Sequence, residues 1–212
     1  MDVTLKVSGL DLKKGHNLLI SNLDFSLSPG EAMSLEGENG VGKTTLLRTL
    51  AGLTPPYAGK IAFFDSHGAL DSDGVVAAGL HLLGHRDALS PSRTVAQELR
   101  FQADFLGGNA EAAIAPLQLE TLLDLETRYL SAGQKRRLSC ARLLMAKRAL
   151  WLLDEPMAPL DATHRALLAG IMQAHLADGG SIIAAVHDPL PFAAQTLRLM
   201  RPTAAQREAE GV

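Results

Sequence analysis

The stretch that most limits how this chain can fold is Gly37-Glu-Asn-Gly-Val-Gly42-Lys43-Thr44-Thr45. It stands between an apolar run, Ala32–Glu36, and a helical pattern that continues to Leu50. Pro29-Gly30 turns the chain into the first, and Gly52 stands where a glycine would close the second. A strand that passes through a glycine-rich loop straight into a helix aims successive N–H groups, and the positive end of the helix, at one point. That is a cradle for phosphate, and Gly-x4-Gly-Lys-Thr is the spacing of a P-loop. Lys43 would reach the β- and γ-phosphates of a nucleotide, and the Thr44 hydroxyl would hold Mg2+. The candidate nucleotide-binding set is therefore Gly37, Glu38, Asn39, Gly40, Val41, Gly42, Lys43, Thr44 and Thr45.

The rest of the chain has to supply a sheet for that strand. Leu5/Val7 and Leu23/Phe25/Leu27 alternate with polar residues and predict half-buried strands. Lys60–Phe64 reads as a strand after the Pro55–Gly59 turn, and Val75–Leu83 as a buried strand. Thr94-Val-Ala-Gln97 is a capping box opening a helix to about Leu106. More helix is expected over roughly Ala110–Leu125, interrupted by Pro116, and from about Ala132 to Lys147. Then come strand Ala149–Leu153, helix Ala162–Leu176, the Gly179-Gly180 turn, strand Ser181–Val186 and a short final helix and strand. A polar tail, Thr203–Val212, is expected to fray. Strands alternating with helices predict an α/β fold with a largely parallel sheet, and the block from about 86 to 147 reads as an inserted helical lobe.

Composition narrows the functions. At 212 residues the chain suits one domain with an inserted lobe. Lys+Arg 20 against Asp+Glu 23 leaves −3, which excludes a generally basic nucleic-acid binder. The 47% hydrophobic content is that of a globular chain, and 4% aromatics requires an aliphatic core. Cys140 alone permits neither an intramolecular disulfide nor a multi-cysteine metal site, and fits a reducing compartment. No apolar run approaches the roughly eighteen residues of a membrane span. The opening MDVTLKVSGLDLKK lacks the apolar core of a signal peptide, so any membrane role is expected to come through a partner.

Two further motifs carry chemistry. Ala149–Leu153 is an apolar strand that ends in Asp154-Glu155, and the carboxyl end of a buried strand is where an open α/β sheet collects its ligands. Asp154 would hold Mg2+, directly or through water, and Glu155 would polarise the attacking water. Leu130-Ser131-Ala132-Gly133-Gln134 opens a helix, where a hydroxyl and backbone N–H groups of small residues form a second anion site. Read singly, it is equally a Ser-capped helix.

These residues together resemble the ATP-binding cassette (ABC) ATPases. Ser131–Gln134 is similar to their LSGGQ signature, with Ala132 for the first Gly, and the P-loop, signature, Asp154-Glu155, Asp161 and His187 follow in family order. The resemblance implies a P-loop ABC ATPase domain spanning 1–212, with an antiparallel β subdomain and the helical lobe. It implies ATP and Mg2+ as cofactors and catalytic roles for Glu155, Lys43 and His187, the last as a switch residue on the γ-phosphate. Ala158–Asp161 resembles the loop that runs between two nucleotide sites. Ser131, Gly133 and Gln134 of a second copy would close on the nucleotide held by the first.

Two departures stand out. The family places a Gln after the strand read here as Val75–Leu83; this chain has Gly84-His85-Arg86-Asp87, with Arg86 in that place and a cation in conflict with a metal-ligand role. The aromatic that stacks on adenine is expected near residues 14–17, where only His16 is available, so base selectivity is expected to be loose. Other features have plain readings. Cys140 is expected to be a core thiol, His81 and His85 not to form a metal pair, and Lys135-Arg136-Arg137 to be an exposed helix face.

A single compact cassette resembles a transporter's energising subunit more than the tandem-cassette factors that act on ribosomes. Those would bring long insertions, zinc-type cysteines or a second cassette, and a GTPase switch would need an N-K-x-D motif. Gly37–Leu53, Leu83-Gly84-His85, the SAGQ signature and Leu150–Pro156 resemble the ATPase subunits of cytochrome c maturation, a family described as exporting haem. That implies an integral membrane permease partner, no nucleic acid, and a peripheral place on the cytoplasmic face of the bacterial inner membrane. A transporter for another substrate is the alternative.

Overall fold

A computed structural model describes residues 3–203. The expected frayed tail, beyond Thr203, lies outside the described residues. In chain order the elements are β1 (Thr4–Lys14), β2 (Asn17–Leu27), β3 (Ala32–Glu36), α1 (Lys43–Leu50), β4 (Ala58–Asp65), β5 (Gly68–Ala69), α2 (Ser72–Ala78) and β6 (Leu80–Leu83). They continue with α3 (Val95–Leu106), α4 (Glu111–Ile114), α5 (Ala132–Cys140), α6 (Arg142–Met145), β7 (Leu150–Asp154), α7 (Ala162–Ala177), β8 (Ser181–Ala185) and β9 (Gln195–Arg198).

Two sheets result. The antiparallel one has the order β2-β1-β4-β5, and the parallel one β6-β7-β8-β3-β9. The central strands β7 and β8 are buried at every position, as a parallel sheet covered on both faces requires. Alternation then sorts their side chains: Leu150, Leu152, Ile183 and Ala185 join the core shared with β1, β4 and α1, while Trp151, Leu153, Ile182 and Ala184 join the core under α3, α5 and α7. β6 and β7 are neighbours in the sheet, so α3–α6 form an excursion between two paired strands.

The structure corrects several sequence expectations. Residues 75–83 are not one strand: Asp71 caps α2, accepting from the Gly74 N–H at 3.0 Å, and only Leu80–Leu83 extends. A continuous apolar run has no period, and here the cap and Gly79 decide it. Over 110–125 only Glu111–Ile114 is α-helical, with a 3-10 turn at Glu120–Leu122; Pro116 and the left-handed Gln118 (φ 52°) break the rest. The helix from 132 changes hydrogen-bonding at Ala141, where Arg142 Nε donates to the Ser139 carbonyl. No helix forms among residues 188–194, which contain Pro189 and Pro191. The capping box of α3 forms as read, Thr94 and Gln97 each bonding the other's N–H.

Below β7 the Trp151 ring stacks flat on His175, centroids 3.8 Å apart, and His81, 3% exposed, bonds the Ala146 carbonyl at 2.8 Å. Burial pushes both imidazoles down from the ordinary 6.5 to about 4. Both are neutral in the folded chain at neutral pH. Between about pH 6.5 and about 4 the unfolded chain takes up protons that the folded one refuses. Their contribution is thus present above pH 6.5 and lost as pH falls towards 4. Calorimetric unfolding temperatures should drop steadily across that window, and His175→Phe, which keeps the stack without titrating, should flatten the slope. An unaltered slope in the variant would remove His175 as a cause.

Candidate nucleotide site

The phosphate loop leaves β3 and enters α1 with Gly37, Gly40 and Gly42 at φ of 143°, 79° and 119°. At Gly37 a β-carbon would press on the Leu199 carbonyl oxygen at 2.6 Å, so the spot admits only glycine. Gly42 caps α1 without a side-chain bond, leaving the first N–H groups of the helix for a ligand. Lys43 is buried and its Nζ donates to the Gly37 carbonyl at 2.6 Å, spanning the loop from inside. The Val41 side chain is buried in the core, and Glu38 turns outward to Arg201, 3.3 Å away, so both can serve a phosphate only through backbone.

The decisive long-range contact joins α1 to β7. Thr44 Oγ1 donates to Asp154 Oδ2 at 2.7 Å, bringing together the two residues the sequence offered as metal ligands. One hydroxyl and one carboxylate suit Mg2+, a hard ion that keeps several waters and takes its remaining oxygens from phosphates. Asn39, Gly40, Gly42, Lys43, Thr44, Thr45, Arg48, Asp154 and Glu155 line a cavity of about 490 Å³.

Glu155 follows Asp154 in the left-handed region (φ 48°), uncommon for a residue with a side chain. Its N–H donates to the Ala185 carbonyl at 3.0 Å. One carboxylate oxygen accepts from His187 Nε2 at 2.9 Å, and the other faces His85 Nδ1 at 3.7 Å. His187, just beyond β8, is therefore beside the carboxylate that the sequence placed next to the attacking water. Arg86, expected in the place of the missing Gln, is exposed; the residue of that loop that faces Glu155 is His85.

Ser131, Gly133 and Gln134 do not line this cavity. They form a reciprocal cap at the start of α5: Gln134 N–H donates to Ser131 Oγ at 3.2 Å, and Ser131 N–H to Gln134 Oε1 at 2.8 Å. The turn is partly exposed and packs near the Pro159 carbonyl. Asp161 caps α7, accepting from His164 N–H at 2.9 Å, and that bond leads the effects holding its carboxyl below the usual range.

The expected exposed face at Lys135-Arg136-Arg137 is wrong for its two arginines. Arg136 is 2% exposed, and Arg137 is buried with its guanidinium on the Leu117 and Gln118 carbonyls. Helical spacing was the available signal, because Arg136 lies three, four and seven residues before Ser139, Cys140 and Leu143 and so shares their buried face. Cys140 is a core thiol as expected, pushed up to about 11 by burial. Among the described residues no aromatic ring lines the cavity; Lys13 and Lys14 stand on its wall instead, Lys13 over the Tyr57 ring at 3.7 Å, and His16 is exposed.

A strand-end carboxylate pair reaching the phosphate loop across the sheet, ahead of which a lobe offers a capped serine, marks an ATPase of the ABC type. Comparison with known proteins agrees. A family model described as ABC transporter matches residues 20–158. The cytochrome c biogenesis ATP-binding export protein CcmA of Rhodopseudomonas palustris (strain HaA2) is 46% identical, over 92% of this chain and 98% of that protein. CcmA of Nitrobacter winogradskyi is also 46% identical, over 92% and 97%. In fold, a putative ABC transporter ATP-binding protein from Pyrococcus furiosus matches with a TM-score of 0.77 at 21% identity, covering 92% of this chain and 97% of that one. The dimeric MJ0796 cassette matches at 0.77 and 20%, over 92% and 94%. The cbiO1 structure from Clostridium perfringens gives 0.71 at 25%, over 89% and 80%. The chain belongs to the ABC transporter family and, within it, to the CcmA group of cytochrome c biogenesis ATP-binding export proteins. No helix among the described residues is long and apolar enough to cross a membrane.

Proposed function

We propose that this chain is a single ABC ATPase domain, 1–212 with a helical lobe at about 86–147, that powers a CcmAB-type complex of c-type cytochrome biogenesis. Two copies form a nucleotide sandwich on a CcmB-like integral membrane permease, at the cytoplasmic face of the bacterial inner membrane. The observation that carries the pairing is that the Ser131–Gln134 cap stands outside the cavity holding Lys43, Thr44 and Asp154. A second copy would bring its cap to the open side, completing each site from two chains. Support comes from the MJ0796 cassette, solved as a dimer, and from cbiO1, described as part of the transporter complex cbiONQ. The lobe also exposes Phe101 and Phe105, four residues apart on α3, with Phe105 82% exposed, an apolar surface suited to a protein partner.

In this reading the loop N–H groups and Lys43 hold the phosphates, and Thr44 and Asp154 hold Mg2+, which when bound offsets charge on the β- and γ-phosphates. Glu155 takes a proton from the attacking water, whose oxygen bonds to the γ-phosphorus as the bond to the ADP oxygen breaks. His187 steadies the Glu155 carboxylate and lies beside the departing phosphate. Such transfer needs chiefly positioning and charge stabilisation.

The test is Ser131→Arg, mixed with wild type in the presence of the membrane partner. A composite site in a sandwich that closes on both nucleotides at once predicts that one spoiled site stalls the whole dimer, so the rate at an equal mixture falls below the average of the two pure proteins. Each subunit should still fold and bind ATP. An ordinary helix cap predicts instead a loss of about 1 kcal/mol in stability with a normal rate per folded molecule, and that outcome removes the pairing.

A further inference from the structure

Arg136 is buried in the middle of the molecule and uses every N–H it has. Nε donates to the Pro156 carbonyl at 3.1 Å. Nη1 donates to the Gly84 carbonyl at 2.8 Å and to Asp87 Oδ1 at 3.2 Å. Nη2 donates to the Asp154 carbonyl at 2.6 Å and to the Glu155 carbonyl at 2.9 Å. A guanidinium has five donors in a fixed planar fork, and here all five have acceptors.

Three of those acceptors are the consecutive carbonyls of residues 154, 155 and 156. An extended strand points successive carbonyls to opposite sides, so three can converge on one guanidinium only where the chain curls. The curl is at Glu155, whose φ of 48° is disfavoured for a side-chain-bearing residue and persists only where its surroundings enforce it. Arg136 supplies that enforcement on the carbonyl side, while the bond from Glu155 N–H to Ala185 supplies it on the other. The remaining two acceptors belong to Gly84 and Asp87, which flank His85 and Arg86, so the same guanidinium also fixes the loop that turns His85 towards Glu155. Arg136 itself stands five residues after Ser131 on α5.

We propose that Arg136 is a positioning residue for hydrolysis: it holds the Glu155 carboxylate in its working direction and locks that turn to the 84–87 loop and to the helix that begins at Ser131. The proposal rests on Glu155 being the water-activating carboxylate. Lysine could not replace it, since three donors on one nitrogen cannot span five acceptors on two segments. Asp87 is the sole carboxylate among the five acceptors, so carbonyl dipoles meet most of the buried charge; removing the fork would leave them unpaired.

The experiment compares wild type, Arg136→Gln, Arg136→Lys and Glu155→Gln as full chains, measuring ATP affinity by equilibrium titration, steady-state kcat and KM, and folded fraction by calorimetry. Arg136→Gln should lower kcat per folded molecule by about 100-fold, the scale of a small misplacement of a catalytic group, with ATP affinity within about threefold of wild type. Arg136→Lys should fail to restore the rate. A kcat near wild type in either variant overturns the proposal, as does a parallel loss of affinity and kcat. Should Arg136→Gln fail to fold, Arg136→Lys gives the same readout; if neither folds, the residue is structural and the proposal falls. Glu155→Gln separates the two layers: an active Glu155→Gln sinks the reading of Glu155, whereas an inactive one beside an active Arg136→Gln sinks only the role of Arg136.

Discussion

Glu155→Gln should lose ATP turnover by about a thousandfold, within the range for removing a general base, while binding ATP as tightly as the unaltered chain. The substitution keeps the shape of the side chain and the backbone turn but removes the group that can accept a proton from water. Neither the Lys43–Gly37 bond nor the Thr44–Asp154 bond involves Glu155, so the phosphate and metal ends of the site stay intact. Bound ATP that cannot be cleaved should hold two copies together. The variant should therefore elute as a dimer with ATP and as a monomer without it. Single-turnover hydrolysis and size exclusion check the two halves separately. A near-normal rate would mean that another group activates the water, and His187, 2.9 Å from the Glu155 carboxylate, would be the first to examine.

Lys43→Ala should weaken ATP binding by roughly 10- to 100-fold, the value of one or two charge-assisted hydrogen bonds, and abolish hydrolysis. The lysine is buried beneath the loop, and its Nζ already donates to the Gly37 carbonyl across the turn. Its loss removes both the cation opposite the phosphates and the strut that keeps the loop's N–H groups pointing inward. The two variants should thus differ in kind: Glu155→Gln alters kcat alone, Lys43→Ala alters affinity and rate together. Direct titration with ATP distinguishes them, and unchanged affinity in Lys43→Ala would contradict the phosphate-loop role.

What the sequence alone determined is whatever depends on neighbours along the chain. The glycine spacing from Gly37 to Gly42 and the turn into α1 are local, as is the capping box at Thr94, and these form as read; the reciprocal cap at Ser131 is local too. The central strands were legible because a strand buried on both faces has to be apolar throughout, as Leu150–Leu153 and Ile182–Ala185 are. Residues 75–83 were not legible in this way, since an unbroken apolar run carries no period and Gly79 splits it into helix and strand. Only the tertiary structure could join Thr44 to Asp154, set His85 rather than Arg86 beside Glu155, or leave the Ser131 cap outside the cavity. It also decided what Arg136 bonds, although helical spacing already sets that residue on the buried face of its helix. Composition treats a run of three cations as solvated surface, because burying one charge is costly wherever its donors go unmet. Here five acceptors from segments about 50 and 20 residues away along the chain converge on that one guanidinium. No local pattern encodes such a convergence, and it is what lets a charged side chain lie at the centre of the fold.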